Sequence, residues 1–261
     1  RVAESDGDLH GRTIDHGEHY GPNQMILAAA GGIDHDAIVR QAEDLFGHLP
    51  RRAPNALIQP AAFGGGEKRA TKDLEQVHFA LALEGPDYRD PEIYTAQIYA
   101  TAMGGGMSSR LFQEIRENRG LCYTIFAQAG AYEDTGLTTI YAGTSAEQIS
   151  ELTNITMDEM KRAADDMSDA EVARARAQMK AGLLMGLESP SNRAERLARL
   201  MSIWDRIPAL SETIAHVDGV TTADVRGFAG KLATDAGAAM AIYGPASNAP
   251  TLAELKVRLA A

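Results

Sequence analysis

A zinc ion is most simply gripped on a helix by two histidines, and the nearest approach to such a pair here is His16-Gly17-Glu18-His19. Helical zinc motifs place the histidines at i and i+4, so that both imidazoles leave one face with a glutamate between them. Here the spacing is i and i+3, and Gly17 and Gly21 work against a helix, so the segment reads as a solvated polar turn. His35 stands among helix-capping aspartates and His78 on the thinner face of a strand, and both read as structural. Gly104-Gly105-Gly106 has the glycines of a phosphate loop, but the lysine and hydroxyl of that motif are missing and a helix precedes it, so it reads as a flexible joint between helices. Cys122, the single cysteine, falls in an apolar strand and reads as a small buried side chain.

The elements that must position any site follow from periodicity and punctuation. Residues 25–30 form a short apolar run closed by Gly31-Gly32, the pattern of a strand buried on both faces. A helix follows, capped by Asp34 or Asp36, with Ala37, Ile38, Ala42, Leu45 and Phe46 as its apolar stripe and Gly47 at its end. Residues 51–73 carry Pro54, Pro60 and Gly64-Gly65-Gly66 without a sustained period and read as a linker. Val77, Phe79, Leu81 and Leu83 then alternate as one face of a strand covered by a helix layer, and Asp90-Pro91 opens a helix. A second helix runs over 108–118, ended by Gly120, and two strands over 121–132 and 137–143 make a hairpin around Glu133-Asp134-Thr135-Gly136. From Ser145 onward helices dominate, opened by Ser168-Asp169-Ala170-Glu171, by Ser189-Pro190-Ser191 and by Thr221-Thr222-Ala223-Asp224. The run 238–243 returns as a strand before Gly244-Pro245 and mirrors the one before Gly31-Gly32, a faint internal symmetry. Together these predict an α+β fold with a largely antiparallel sheet and helices layered on one face.

Composition bounds the function. Over 261 residues, 25 basic and 36 acidic side chains leave a formal charge of −11, which makes nucleic acid a poor partner. No apolar run reaches the ~18 residues of a membrane span, so no membrane is expected, and one cysteine points to a reducing, cytoplasmic setting. The chain begins with Arg1, from which a longer natural amino end is expected.

Residues 104–123, GGGMSSRLFQEIRENRGLCY, closely resemble the pitrilysin and mitochondrial processing peptidase family of zinc metallopeptidases. The resemblance extends to residues 25–47 with their Asp34-His35-Asp36 turn, to residues 78–86, and to the closing Ile242-Tyr243-Gly244-Pro245. It implies two similar α+β halves facing each other around a peptide chamber. Residues 1–50 are then the end of the first half, 51–73 the linker and 74–261 the second half. The family's inverted zinc motif, His-x-x-Glu-His, occurs nowhere in this sequence, so the resemblance implies that zinc belongs to a missing amino-terminal half or a partner subunit and is not bound by this chain.

What the resemblance assigns to the second half is an arginine on a helix and a tyrosine seven residues later on the next strand, and Arg116 and Tyr123 match them in order and spacing. In the family this pair reaches the substrate carbonyl, where a guanidinium and a phenol can steady the oxyanion formed when zinc-activated water attacks a peptide. Gly104, Gly105 and Gly106 align with a glycine-rich region associated with substrate handling. Arg110 and Arg119 are expected to hold the helix and its turn through carboxylate or backbone contacts. The function implied is the carboxy-terminal part of a zinc endopeptidase acting on peptides or presequence-like segments. The alternative is a catalytically silent family member acting as partner or scaffold, and a small-molecule-binding α+β domain is the third class.

Overall fold

The computed structural model describes residues 25–50, 59–234 and 237–260. It forms two compact units, one of Arg1–Pro60 with Leu184–Pro208 and one of Ala61–Leu183 with Ala209–Ala261. In chain order the elements are α1 (His35–Phe46), β1 (Gly66–Ala70), β2 (Val77–Gly85), α2 (Ile93–Gly104), a short π-helix (Phe112–Glu117), β3 (Cys122–Ala131), β4 (Gly136–Thr144), α3 (Ile149–Asp166), α4 (Asp169–Gly186), α5 (Pro190–Trp204), α6 (Leu210–Gly219), α7 (Thr222–Thr234), β5 (Ala238–Tyr243) and α8 (Leu252–Ala260).

The larger unit is built on a five-stranded sheet ordered β1-β5-β2-β4-β3. Strand β2 is central because its alternation is complete: Val77, Phe79, Leu81 and Leu83 are fully buried while His78, Ala80 and Ala82 between them stay partly exposed. It pairs antiparallel with β4 from Val77↔Thr144 to Gly85↔Gly136, and antiparallel with β5 from His78↔Tyr243 to Leu83↔Ala238. The β3–β4 hairpin is present, its turn closed by Tyr132 N–H donating to Thr135 O at 2.8 Å. Helices cover the buried face. Helix α2 is apolar almost all round and lies so close to β3 that a Cβ on Gly104 would sit 2.1 Å from the Ala127 nitrogen, so only glycine fits. Two of the helix starts follow the expected boxes: Ser168 and Glu171 exchange bonds of 2.8 and 3.3 Å at α4, and Thr221 and Asp224 bonds of 2.8 and 3.2 Å at α7. The fold is α+β, with a largely antiparallel sheet and helices on one face.

Three local readings change. Residues 66–70, inside the expected linker, form β1, which pairs parallel with β5 from Gly66↔Ala239 to Ala70↔Tyr243. This strand has no apolar face because it is held by polar bonds: Arg69 donates to Ala249 O at 2.9 Å and Glu67 accepts the Leu252 N–H at 2.7 Å, capping α8. Hydrophobic alternation therefore could not reveal it. Residues 25–30 pair with no strand among the described residues, and Met25, Ile26 and Leu27 are exposed instead of buried. An apolar run becomes a strand only where another strand meets its backbone, and among the described residues none does. The helix expected over 108–118 is present over 110–117, but from Phe112 to Glu117 it is wound as a π-helix, with Asn118 N–H reaching back to Gln113 O at 2.9 Å.

In the smaller unit, Asp34 caps α1 by accepting the Ala37 N–H at 2.8 Å, and Ser189 caps α5. An open, mostly apolar cavity of about 730 Å³ lies among Ile26, Leu27, Ile38, Phe46, Leu197 and Met201.

Candidate active site

The π turn is anchored from beneath by Leu111 and Ile115, both fully buried. Arg116 follows Ile115 and is partly exposed. Gly120, at φ +63°, reverses the chain, and Leu121 N–H closes the reversal on Ile115 O at 2.9 Å. Strand β3 then opens with a bulge: Cys122 pairs with Thr144 and Thr124 with Gly143, which leaves Tyr123 as the extra residue. A bulge turns its side chain out of the regular alternation, and Tyr123 is 75 % exposed as a result.

These two turns bring Arg116 and Tyr123 together. The Arg116 guanidinium carbon lies 5.1 Å from the centre of the Tyr123 ring and 4.5 Å from that of Phe112, one helical turn behind it. The two aromatic faces orient the cation without using its N–H groups. Glu117 approaches it only to 3.9 Å, and both side chains are partly in water, so this contact claims little of the donor capacity.

The neighbouring arginines are spent. Arg110, nearly buried, donates to Glu171 at 2.6 and 3.1 Å and to Asp166 at 2.5 Å. Burial works against its charge, but the bonds and attraction of these carboxylates outweigh burial and raise its pKa. In return, although burial opposes it, the bonds from Arg110 and Ser168 hold Glu171 down at about 2. Arg119 donates to Glu114 O at 2.8 Å and pairs with the Glu114 carboxylate, whose pKa is lowered chiefly by that bond. Both arginines therefore hold the helix and its turn, as their surroundings in the sequence imply.

The glycine run is pinned on both sides. Gly104 is a packing contact against β3, Gly105 N–H caps α2 on Thr101 O at 2.9 Å, and the Gln178 amide donates to Gly105 O at 2.5 Å. Ser109 donates to Gly106 O at 2.6 Å and Gln113 to Met107 O at 2.6 Å. These bonds make the segment a braced corner, where glycine content alone implies a flexible joint. Cys122 is buried, and burial pushes its thiol up to about 11 against the opposing charge of Arg116, so it is no thiolate nucleophile at neutral pH. His78 Nδ1 lies 2.7 Å from the Tyr141 hydroxyl, a structural bond, and His35 is the first residue of α1. His16 and His19 lie outside the described residues. Among the described residues no three His, Cys, Asp or Glu side chains converge to hold a metal, and no helix is long and apolar enough to cross a membrane.

Sequence reasoning missed Phe112 and Gln178. Phe112 stands four residues before Arg116, the helical spacing at which an aromatic and a cation meet, and that spacing was the available signal. Gln178 acts from α4, far along the chain, and no local pattern marks it.

Comparison with known proteins extends the geometry. The model of the family described as the peptidase M16 inactive domain matches residues 16–179. An uncharacterized zinc protease of Rickettsia bellii is 34% identical over 230 residues, covering 88% of this chain and 55% of that protein. Another from Bacillus subtilis is 30% identical over 237 residues, covering 90% of this chain and 57% of that one. The chain thus spans about half the length of these relatives. Among solved structures, a chain of complex III2 from Candida albicans with Inz-5 bound superposes with a TM-score of 0.79 at 22% identity, over 88% of this chain and 57% of that chain, a likeness of fold. By its match over residues 16–179, this chain belongs to the pitrilysin-like M16 peptidase family, through that family's carboxy-terminal, inactive-type domain.

Proposed function

We propose that this chain is the carboxy-terminal part of a zinc-dependent endopeptidase that cleaves peptides or presequence-like segments, and that its sheet unit supplies the oxyanion donors. The observation that carries this reading is the Arg116 and Tyr123 pair, side by side at 5.1 Å, with Tyr123 exposed, Arg116 partly exposed and the Glu117 carboxylate no nearer the guanidinium than 3.9 Å. An arginine N–H and the tyrosine O–H can both donate to one peptide carbonyl oxygen, and such bonds strengthen as the oxygen gains negative charge. Phe112 holds the guanidinium plane, and the braced corner at Gly104, Gly105 and Gly106 sets the start of the π turn that carries it. In this reading residues 1–50 close a first half-domain, 51–73 link it onward and 74–261 form the second half-domain. In this reading zinc is held by an amino-terminal half-domain or a partner subunit, and this chain's part is to bind and orient the carbonyl. The relatives named as zinc proteases support the same assignment, and the single cysteine fits a cytoplasmic setting.

The test is peptide hydrolysis by the full-length protein, alone and with any companion subunit, as purified, after chelation and after zinc is restored. The reading expects cleavage that follows zinc and falls with Arg116→Ala. No cleavage in any of these states would leave the second reading, a catalytically silent partner subunit, which the family's printed description as an inactive domain favours.

A further inference from the structure

Helices cover one face of the sheet, and the other face carries a strip of aromatic rings. Phe126 on β3 stands opposite Tyr141 on β4, and His78 on β2 stands opposite Tyr243 on β5. The ring centres follow one another at 5.1 Å from Phe126 to Tyr141, 6.1 Å from Tyr141 to His78 and 6.4 Å from His78 to Tyr243. Four strands separated by about 4.8 Å make this strip about 14 Å long, the reach of roughly four residues of extended peptide.

Its chemistry is specific. Tyr141 and His78 satisfy each other through the 2.7 Å bond, so the middle of the strip offers ring faces and few free polar groups. Phe126 and Tyr243, at its two ends, are 37% and 43% exposed. Ala80 and Ala241 lie beside the rings on the same face as small side chains, while the Gln76 amide oxygen stands over Gly143, 3.1 Å from where a Cβ would be. The charged residues on this face of the strands are Lys68, opposite Ala241 on the edge strand, and Glu84 at the far end of β2, and they oppose each other in sign. The strip also shares a strand with one member of the donor pair, since Phe126 follows Tyr123 by three residues on β3.

We propose that this strip is a specificity subsite that takes an uncharged aromatic or large aliphatic side chain of the substrate peptide, near the bond whose carbonyl meets Arg116 and Tyr123. The proposal rests on the peptidase reading for its substrate. The occupant is a peptide because the strip shares β3 with Tyr123, one of the two carbonyl donors, and it is apolar because the rings offer it stacking and little else.

The experiment uses the full-length protein and fluorescent peptides carrying Phe, Leu, Gly, Lys or Asp, varied one position at a time around the cleaved bond. Affinity is measured on the chelated protein and kcat/KM on the zinc-loaded protein, with Tm and molecular mass recorded for each variant. At one position Phe and Leu peptides should bind about five- to tenfold more tightly than the Gly peptide, the range of an aromatic contact. Phe126→Ala and Tyr243→Ala should bring that ratio close to one at unchanged Tm, while Tyr141→Phe, which keeps the ring, should preserve it. Arg116→Ala should lower turnover and leave the affinity ratio intact. An apolar preference without any hydrolysis would reject the peptidase reading while supporting the strip as a peptide subsite. The proposal is overturned by a preference for Lys or Asp, by a ratio that survives both alanine variants, by no peptide binding at all, or by alanine variants that change the molecular mass, which would make the strip an interface between copies of the chain.

Discussion

An arginine can offer its N–H groups to a substrate only while no carboxylate holds them, and the three arginines around the π turn divide on that criterion. Arg110 and Arg119 are tied to Glu171, Asp166 and Glu114, whereas Arg116 rests between the rings of Phe112 and Tyr123. In the zinc-loaded full-length protein, Arg116→Ala and Tyr123→Phe should each lower kcat by about 10²–10³-fold, the usual loss for one oxyanion donor. The double variant should lose less than the product of the two, because both donors serve one oxygen. Zinc content and Tm should not move. Arg119→Ala is the control, expected near wild-type activity; full activity in Arg116→Ala, or its loss only through unfolding, would return Arg116 to an ordinary surface residue. At this scale the sequence was legible in part. Seven residues between an arginine and a tyrosine can be counted, but the bulge that turns Tyr123 outward depends on the register between β3 and β4, which no local spacing encodes.

Among the elements, legibility followed apolar pattern. Strand β2 could be read because Val77, Phe79, Leu81 and Leu83 alternate, and the hairpin because its turn carries Gly136. Strand β1 could not, since its bonds run through Glu67 and Arg69, and residues 25–30 misled because apolar content says nothing of a pairing partner. Phe79 sits at the middle of the buried face, so Phe79→Ala should cost about 3–5 kcal/mol in denaturant unfolding. A loss under about 1 kcal/mol would mean that β2 is misplaced and Phe79 is not in the buried face.

The π turn depends on a second support, the corner where α3 meets α4. There Arg110 binds Glu171 and Asp166 while Arg162 reaches Glu159 and Asp166. Glu171 is held at about 2 against an ordinary value of 4.5, so its contribution is present above pH ~4.5 and is lost as the pH falls toward 2. Asp166 is also lowered: burial opposes the shift, and the bonds from Arg110 and Arg162 prevail. Glu159 is raised by burial, against the pull of Arg162 and Arg110, and contributes in the opposite sense as it takes up a proton. The net expectation is a fall in Tm between about pH 5 and pH 2. Glu171→Gln should lower Tm at pH 7 and flatten this acid limb; an unchanged limb would place the acid sensitivity elsewhere.

At the scale of the whole molecule, the arrangement of donors without a metal-binding cluster sets the last expectation. The described residues bring carboxylates to arginines and helix caps, and among them no three His, Cys, Asp or Glu side chains are placed to hold a metal ion. A tight zinc site needs about four ligands in a closed tetrahedral set, or three with a water, and neither His35 nor His78 has such company. The net charge of −11 attracts cations diffusely, but diffuse attraction gives weak, salt-sensitive binding and no fixed stoichiometry. This chain prepared alone, with its folded state checked by circular dichroism, should therefore hold far less than one zinc per chain by elemental analysis after passage over a chelating resin, and should cleave no peptide. Adding the amino-terminal half or the partner subunit should restore one bound zinc per assembly together with hydrolysis. One zinc held tightly by the chain alone would overturn this division of labour and direct attention to His16, Glu18 and His19; His16→Ala and His19→Ala would then each be expected to release it.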